Sequence, residues 1–482
     1  MTPGSNRPHE VVIVGGGISG LAAAYYLEKQ AAQASLDLSI QLLEADRRVG
    51  GVIRTERSGE YLVEAGPDSF LATKPAAVEL CQQLQLAGAL IGSNDERRKT
   101  YVWQGGRLRP LPDGLLFVVP ARVWPMFRND LLSPAGKLRL ALGPFLPPLE
   151  RPAEDRSVAA FIARRFGRQV LERLVEPLLA AVYGADVDTL SAAAALPQLV
   201  AIEQKYGNLW RGLPHARSEM LSRASRSSSG AIPQALFMTL RNGLGELVEC
   251  LQKALRRTQL VTDAAVCGIR RQGRGYCVEH ARGAAAASAV VVATPAPAAA
   301  QLLRPVDAEL AGLLGGIRYH SSVIVALGYA RRDLDHPLDG FGFIVPRTEN
   351  KCLTACTWVS NKFPFRSGPE EILLRCFLGG SRNPDLLERT DEQILSATLR
   401  ELGEAMQLRA TPRLVRLYRW EKRMPQYDVG HLGRCEAIGA CLKSHPGLAL
   451  AGNGYRGVGI PDCIQSGAAA AAAVLAYLES TQ

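Results

Sequence analysis

The sequence predicts an α/β chain, α+β overall, whose nucleotide-binding domain is interrupted twice. Three observations predict it. The β-branched run Val11–Val14 leads into Gly15-Gly16-Gly17-Ile18-Ser19-Gly20, a helical stretch Leu21–Gln33 and a second apolar run Leu38–Leu43, the strand–glycine loop–helix–strand order of a Rossmann-like unit. A further buried-strand run, Ala289–Thr294, and a short one, Leu448–Ala451, supply strands to the same domain from far along the chain. Between these pieces the pattern changes, first to helix and then to short strands separated by turns.

In chain order, Val11–Val14 lacks polar alternation, as suits a parallel strand covered on both faces. In Leu21–Gln33, Leu21, Ala24, Tyr25 and Leu27 fall on one helical face. Leu38–Leu43 ends at Glu44. Residues 75–230 read as mainly helical, with Pro-punctuated loops at Leu108–Asp113 and Leu146–Pro152. Ser218–Gly230 is rich in Ser and Arg, poor in apolar residues, and reads as an exposed loop or domain boundary. Asn242-Gly243-Leu244-Gly245 opens a helix to Arg257, and Leu260–Ile269 reads as a strand. Val323–Tyr329, Phe341–Val345 and Ile372–Leu378 fit a second, mostly antiparallel sheet. Leu448–Ala451 precedes a Gly-rich loop and an Ala-rich helix. The expected division is 1–74, 236–300 and 445–482 for the nucleotide-binding domain, 75–235 for a mainly helical domain and 301–444 for a substrate-binding domain.

The 482 residues are 47% hydrophobic and 21% charged, a globular balance that excludes a largely disordered chain. Of 56 cations, ten are Lys and 46 are Arg, against 46 acids, for a net charge of +10. Arg pairs bidentately with planar oxyanions, so the excess suits an acidic partner or substrate; a codon-driven Arg and Ala bias explains it equally well. No nucleic-acid partner is expected. Ten Cys include no CxxC pair, and the nearest two, Cys352 and Cys356, have no His at ligand spacing. That speaks against zinc or another metal and for reduced thiols in a cytoplasmic protein. Met1–Glu10 lacks the cationic start of a signal peptide. No stretch reaches the ~18 strongly apolar residues of a membrane span. Leu115–Val119 and Leu138–Leu149, apolar and flanked by Arg, read either as core helix or as contact with a membrane surface.

The glycine loop carries the first chemistry. Gly15 permits a tight turn, Gly17 lets backbone N–H groups approach a pyrophosphate, and Gly20 lets helix and strand touch. Glu44, at a strand end 24 residues past Gly20, is placed to accept ribose hydroxyls. NAD and FAD both use this arrangement. Arg48-Val49-Gly50-Gly51-Val52-Ile53-Arg54-Thr55 resembles the RxGGxxxT/S signature of the amine-oxidase-like flavoenzymes and favours FAD. Ala451–Asp462 supplies a second glycine-rich loop before a helix, which directs backbone donors and a positive dipole end toward an electron-rich ligand edge.

Further segments narrow the resemblance. These are Glu64–Phe70 (EAGPDSF), Glu176-Pro177-Leu178-Leu179 through Asp186, Gly243–Val248, Met424-Pro425-Gln426-Tyr427 with Val429-Gly430-His431, and Tyr455–Cys463 (YRGVGIPDC). Over nearly the whole chain the sequence resembles the FAD-dependent porphyrinogen oxidases of haem biosynthesis, the protoporphyrinogen oxidase and coproporphyrinogen III oxidase family. The resemblance implies a Rossmann-like FAD-binding domain with an inserted mixed-sheet substrate domain and a helical domain that often associates with membranes. It implies that Gly15, Gly16, Gly17, Ile18, Ser19, Gly20 and Glu44 hold the ADP half of FAD, with Arg48 and Gly51 alongside. Gly66, Pro67, Asp68 and Ser69 would pass near the flavin, Val266 would contact the adenine side, and Trp420 would pack by the flavin. Val458, Gly459 and Ile460 would line its pyrimidine edge.

The activity so implied is a six-electron oxidation of a porphyrinogen, two electrons per flavin cycle, with molecular oxygen as acceptor and hydrogen peroxide as product. Aromatisation drives it, so orientation and exclusion of water matter more than a catalytic base, and none is assigned. Substrate-pocket candidates are Lys74, for a propionate, and Ile344 with Trp358, as the two walls of a pyrrole sandwich. Ala185 is a fourth, because Gly184-Ala185 stands where many relatives have Ala-Gly; Ala180-Ala181 likewise stands where many have Gly. Protoporphyrinogen IX is the expected substrate and coproporphyrinogen III the alternative; an amine oxidase or a non-enzymatic flavoprotein is more remote. The expected location is cytoplasmic, with peripheral contact at the inner face of the cell membrane left open.

Overall fold

The computed structural model describes residues 8–112, 115–116, 118–120, 124–146, 154–226 and 235–481. The first strand, β1 (His9–Val14), is followed by helix α1 (Ile18–Gln33) and β2 (Leu38–Leu43). Three later segments join them: β3 (Thr258–Val261), β4 (Ala289–Val292) and β5 (Leu448–Leu450). All pair in parallel, in the order β3-β2-β1-β4-β5. The unbroken apolar run in β1 follows from cover on both faces. Val11 and Ile13 pack in one core with α1 and the terminal helix α2 (Ile460–Ser480). Val12 and Val14 pack in another core, beneath the helices Ala296–Leu303 and Ala308–Gly315.

The expected strand Leu260–Ile269 is two strands. Asp263 takes a left-handed φ of +49° and breaks the run; β3 stays in the parallel sheet, while Val266–Gln272 starts an antiparallel meander.

A seven-stranded mixed sheet forms the second layer. Its order is Leu414–Pro425, Tyr319–Ala330, Glu371–Gly379, Leu353–Trp358, Gly342–Ile344, Thr100–Gln104 and Arg107–Pro110. All neighbours are antiparallel except Gly342–Ile344 with Thr100–Gln104. One face is buried against the helix Asp391–Met406, with Val325, Phe343, Trp358 and Leu374 in that core. The other face turns toward the nucleotide-binding layer and the helices.

The helical part includes Pro134–Ala141, Val158–Phe166, Glu176–Tyr183, Pro197–Tyr206 and Leu209–Arg226 around one core. The reading of 75–235 as mainly helical missed Thr100–Gln104 and Arg107–Pro110, which belong to the mixed sheet, and Leu90–Gly92, which pairs with Phe237–Leu240. These strands are short, and partners distant in sequence stabilise them. The loop expected at Ser218–Gly230 is helical up to Arg226, and its remainder lies outside the described residues, as do residues 147–152 of the expected Leu146–Pro152 loop and residue 117 of Leu115–Val119.

Candidate cofactor and substrate site

The first glycine loop is built by close contact. Gly15 has φ +103°, and a Cβ there would lie 2.9 Å from the Ala293 carbonyl oxygen. A Cβ on Gly20 would lie 1.9 Å from the Gly15 carbonyl oxygen, so α1 can press on the loop only because that residue is Gly. Gly17 is different: nothing lies within 4 Å of where its Cβ would be. It is the N-cap of α1 and no side chain caps it, so the loop's open side coincides with unpaired helix N–H donors. This cradle fits a pyrophosphate. Ile18 and Ser19 are buried, so a ligand meets their backbone rather than their side chains.

Glu44 closes the loop from the next strand. Its Oε2 accepts from Gly16 N at 2.6 Å and its Oε1 from Asp46 N at 2.9 Å. Ala264 N donates to the Glu44 carbonyl oxygen at 2.8 Å, which brings the half-buried Val266 to the same end of the sheet. Arg48 turns inward. Its guanidinium donates to the carbonyl oxygens of Val49 and Ile53 at 3.1 Å and of Gly51 at 2.6 Å, so it wraps its own loop. Gly50 N donates to the Gly16 carbonyl oxygen at 2.7 Å, which ties the two glycine motifs together.

The segment 66–69 is fixed from the mixed sheet. A Cβ on Gly66 would lie 2.0 Å from the Val52 carbonyl oxygen. Trp420 Nε1 donates to the Ala65 carbonyl oxygen at 2.7 Å, and Arg375 donates to that of Gly66. Pro67 is half-buried beside it. Asp68 stands 3.2 Å from Lys362 Nζ and 3.3 Å from an Arg375 nitrogen, and it accepts from Ser69 Oγ at 2.7 Å. Burial alone would raise its carboxyl, but Lys362 and Arg375 outweigh that and hold it well below the usual carboxylate range. Behind it Arg366 pairs with Glu64 at 2.6 Å and donates to Thr239 Oγ1 at 2.7 Å.

The second glycine loop precedes α2. Gly459 N donates to Asp462 Oδ2 at 3.1 Å, Val458 is half-buried against the helical core and Ile460 is buried. Lys74 reaches across to Asp462, with Nζ 2.7 Å from both carboxylate oxygens. Lys74 is thus committed to an ion pair, and a propionate would have to compete with Asp462 for it. Tyr183 lies close by; burial, helped by the Asp462 charge, pushes its phenol up to about 12.

Ile344 and Trp358 do not face each other. Ile344 pairs with Ala355, Ala355 with Phe377, Phe377 with Ile324 and Ile324 with Tyr418, one row across five strands on the face toward the cofactor layer. Trp358 stands three residues beyond Ala355 and projects to the opposite face, between Tyr101 and His336, with ring centroids 5.5 Å and 4.8 Å away. The two therefore cannot sandwich one ring. On the Ile344 face, Phe377 is half-buried, touches both the helical core and the Trp420 cluster, and lies 5.2 Å beneath the Arg375 guanidinium. Ala185 is buried in the same core as Ile344. Gly184, at φ +56°, ends the helix Glu176–Tyr183 in the left-handed region, which accounts for a Gly at that position in this chain.

Sequence reasoning missed Phe377, Arg375, Lys362 and Tyr183. One signal was readable: Leu373, Arg375 and Phe377 alternate on one face of an otherwise apolar strand, and a central Arg there needs a buried anion.

A family model described as flavin containing amine oxidoreductase matches residues 18–475. The coproporphyrinogen III oxidase of Bacillus subtilis (strain 168) is 35% identical over 480 residues, covering 99% of this chain and 100% of that one. The chloroplastic protoporphyrinogen oxidase 1 of Spinacia oleracea is 30% identical over 487 residues, covering 97% and 84%. A solved structure from Exiguobacterium sp. 255-15, with a provisional protoporphyrinogen oxidase assignment, superposes with a TM-score of 0.86 at 32% identity, covering 98% and 99%.

Proposed function

The chain belongs to the flavin containing amine oxidoreductases and, within them, to the porphyrinogen oxidases of haem biosynthesis; from that premise we propose coproporphyrinogen III as its substrate, ahead of protoporphyrinogen IX. The activity is the oxidation of a porphyrinogen to the porphyrin by an FAD enzyme. One observation carries the ranking: the bacterial coproporphyrinogen III oxidase matches over the full length at the higher identity. The test is a competition assay with both porphyrinogens under air, read by porphyrin fluorescence. Preferential formation of coproporphyrin III supports the ranking, preferential formation of protoporphyrin IX reverses it, and no fluorescent product from either overturns the assignment.

FAD, when bound, would supply the two-electron acceptor chemistry for the macrocycle, with molecular oxygen as the final acceptor. The protein's part is to hold and to shield. Gly15–Gly20 and Glu44 would grip the ADP half, with Arg48 and Gly51 shaping the loop and Val266 beside the adenine. Gly66–Ser69 and Trp420 would support the flavin from the mixed sheet. Val458, Gly459 and Ile460 would meet its pyrimidine edge at the N-terminus of α2, where the helix dipole favours negative charge. The macrocycle would lie against Ile344, Phe377 and Tyr183, an apolar wall that keeps water out. Lys74 and Ala185 stand at its rim and back.

The same reading divides the chain into the three-piece cofactor domain 1–74, 236–300 and 445–482, the helical part 75–235 without its two sheet strands, and the substrate part 301–444. It places the enzyme in the cytoplasm with a peripheral membrane contact through the helical part. Phe145 is 83% exposed and Trp124 66%, and Phe127, Leu138 and Leu142 are exposed too. Arg128 lies 5.4 Å from the Trp124 ring, and Lys137 donates to the Phe127 carbonyl oxygen. Aromatic side chains beside cations suit an anionic lipid surface. Among the described residues no helix is long and apolar enough to cross a membrane.

A further inference from the structure

The second glycine loop is held by two side chains of the segment Tyr427–His431, for which no role is assigned above. Tyr427 is buried, and its hydroxyl makes two bonds to one loop: it accepts from Gly457 N at 2.8 Å and donates to the Asn453 carbonyl oxygen at 2.6 Å. Its ring stacks on that of His431, centroids 4.1 Å apart and planes 13° from parallel. His431 Nε2 lies 2.8 Å from the Tyr455 carbonyl oxygen, which fixes that nitrogen as the protonated one. The stacked pair thus meets three backbone groups within residues 453–457.

Such a loop needs an outside restraint. Gly452, Gly454 and Gly457 give it little stiffness of its own, and Gly452 and Gly457 take φ of +136° and +110°. The restraint is itself anchored. Ser191 N donates to the Tyr427 carbonyl oxygen at 2.8 Å and Val429 N to that of Thr189 at 2.9 Å, both joining the helical part. Asp428 pairs with Arg318 at 2.7 Å, beside the mixed sheet. All three parts of the molecule therefore meet at this segment.

We propose that Tyr427 and His431 are positioning residues that hold the 453–459 backbone in the geometry that meets the flavin. The inference rests on the reading of Val458–Ile460 as the flavin-edge segment. A clamp of this kind acts on how the cofactor is presented, whereas a bond serving only the fold acts on stability alone.

The test uses the full chain loaded with FAD. Tyr427→Phe keeps the ring stack and removes only the hydroxyl, leaving Gly457 N and the Asn453 carbonyl unpaired. We expect its FAD dissociation constant to rise about 10-fold and kcat to fall about 10-fold, with the porphyrinogen KM within about two-fold, as for loss of buried hydrogen bonds at a cofactor site. The flavin midpoint potential and visible spectrum shift with it. Tyr276→Phe is the control; that hydroxyl donates to the Pro446 carbonyl oxygen at 2.9 Å in another core. It moves thermal stability and leaves FAD binding and potential as in the wild type. Should Tyr427→Phe not fold, His431→Phe keeps the stack, removes the bond to Tyr455 and is read the same way. Either variant binding FAD at wild-type affinity and potential overturns the proposal. A wild-type chain that holds FAD but oxidises no porphyrinogen overturns the substrate reading instead, and the affinity and potential comparison still decides the clamp.

Discussion

Asp68 sits between two cations that burial has stripped of water. Lys362 and Arg375 are both buried, and Asp68 is the counter-ion they share. Asp68→Asn removes that charge and keeps the shape. Breaking a buried pair from one side costs about 3–5 kcal/mol, so the variant should unfold at clearly lower denaturant; an unchanged midpoint would refute the arrangement. Buried titratable groups also set a pH dependence. Burial lowers the imidazoles of His320, His336 and His431, so folding favours their neutral form. The unfolded chain protonates them below about pH 6.5, and the stability they confer is lost as pH falls from there through their lower folded values. Asp68 behaves likewise at lower pH: its contribution is complete above the unfolded value near 4 and fades as pH falls through its depressed folded value. Thermal melts across pH should thus decline in two stages; a flat profile between pH 7 and 5 would contradict the first. At this scale the glycines and Glu44 were legible, because turn and strand-end chemistry is local. Trp358 and Lys74 were not. The face on which Trp358 points depends on strand register with a distant partner, and Lys74 meets an acid 388 residues away.

Between elements, α1 and α2 cross at a glycine. A Cβ on Gly467 would lie 2.3 Å from the Ser19 carbonyl oxygen and 3.0 Å from Ala22 Cβ. Gly467→Ala should therefore push α2 off α1 and cost about 1–3 kcal/mol, despite the better helix propensity of Ala. Because α2 begins at the second glycine loop, FAD affinity should fall along with the melting temperature; a variant more stable than wild type would show that the helices give way freely. Four of the five parallel strands were legible from their apolar runs, with Leu38–Leu43 placed to the residue, while Thr258–Val261 was run together with the meander strand after it. The strand Leu414–Pro425 was not, since its Arg, Lys and Glu residues resemble a solvated segment. Arg416 and Arg419 are in fact paired, with Glu56 and Asp391.

Across the whole molecule, the sheet beside the candidate cofactor site draws strands from three distant stretches of chain, and many of the Arg residues are committed to ion pairs, such as Arg366, Arg375, Arg416 and Arg419. The exposed face around Phe145 yields the prediction at this scale. Wild-type protein should co-sediment with vesicles containing phosphatidylglycerol, less so as salt rises, because surface charges are screened beyond roughly 10 Å at 0.1 M salt. Phe145→Asp should abolish most of this binding and leave porphyrinogen turnover in vesicle-free buffer unchanged. Equal binding by both proteins would mean that the face serves another purpose. The sequence suggests a three-part division because glycine motifs, helical stretches and β-branched runs differ in composition. The edge strands at 100–110 crossed that outline because pairing, not composition, assigns them to a sheet.

The order of the central sheet also orders events in time. Its strands arrive as β1, β2, β3, β4 and last β5, and α2 follows β5 to cover the glycine loop at the other end of the chain. A ribosome that has translated residues 8–440 has made the first glycine loop but not the second, the segment proposed to meet the flavin. Until β5 and α2 are made, β4 lacks its outer partner and α1 lacks the helix packed across it. On the proposed reading, a grip on both ends of the flavin cofactor would require residues 453–480 as well as the first glycine loop.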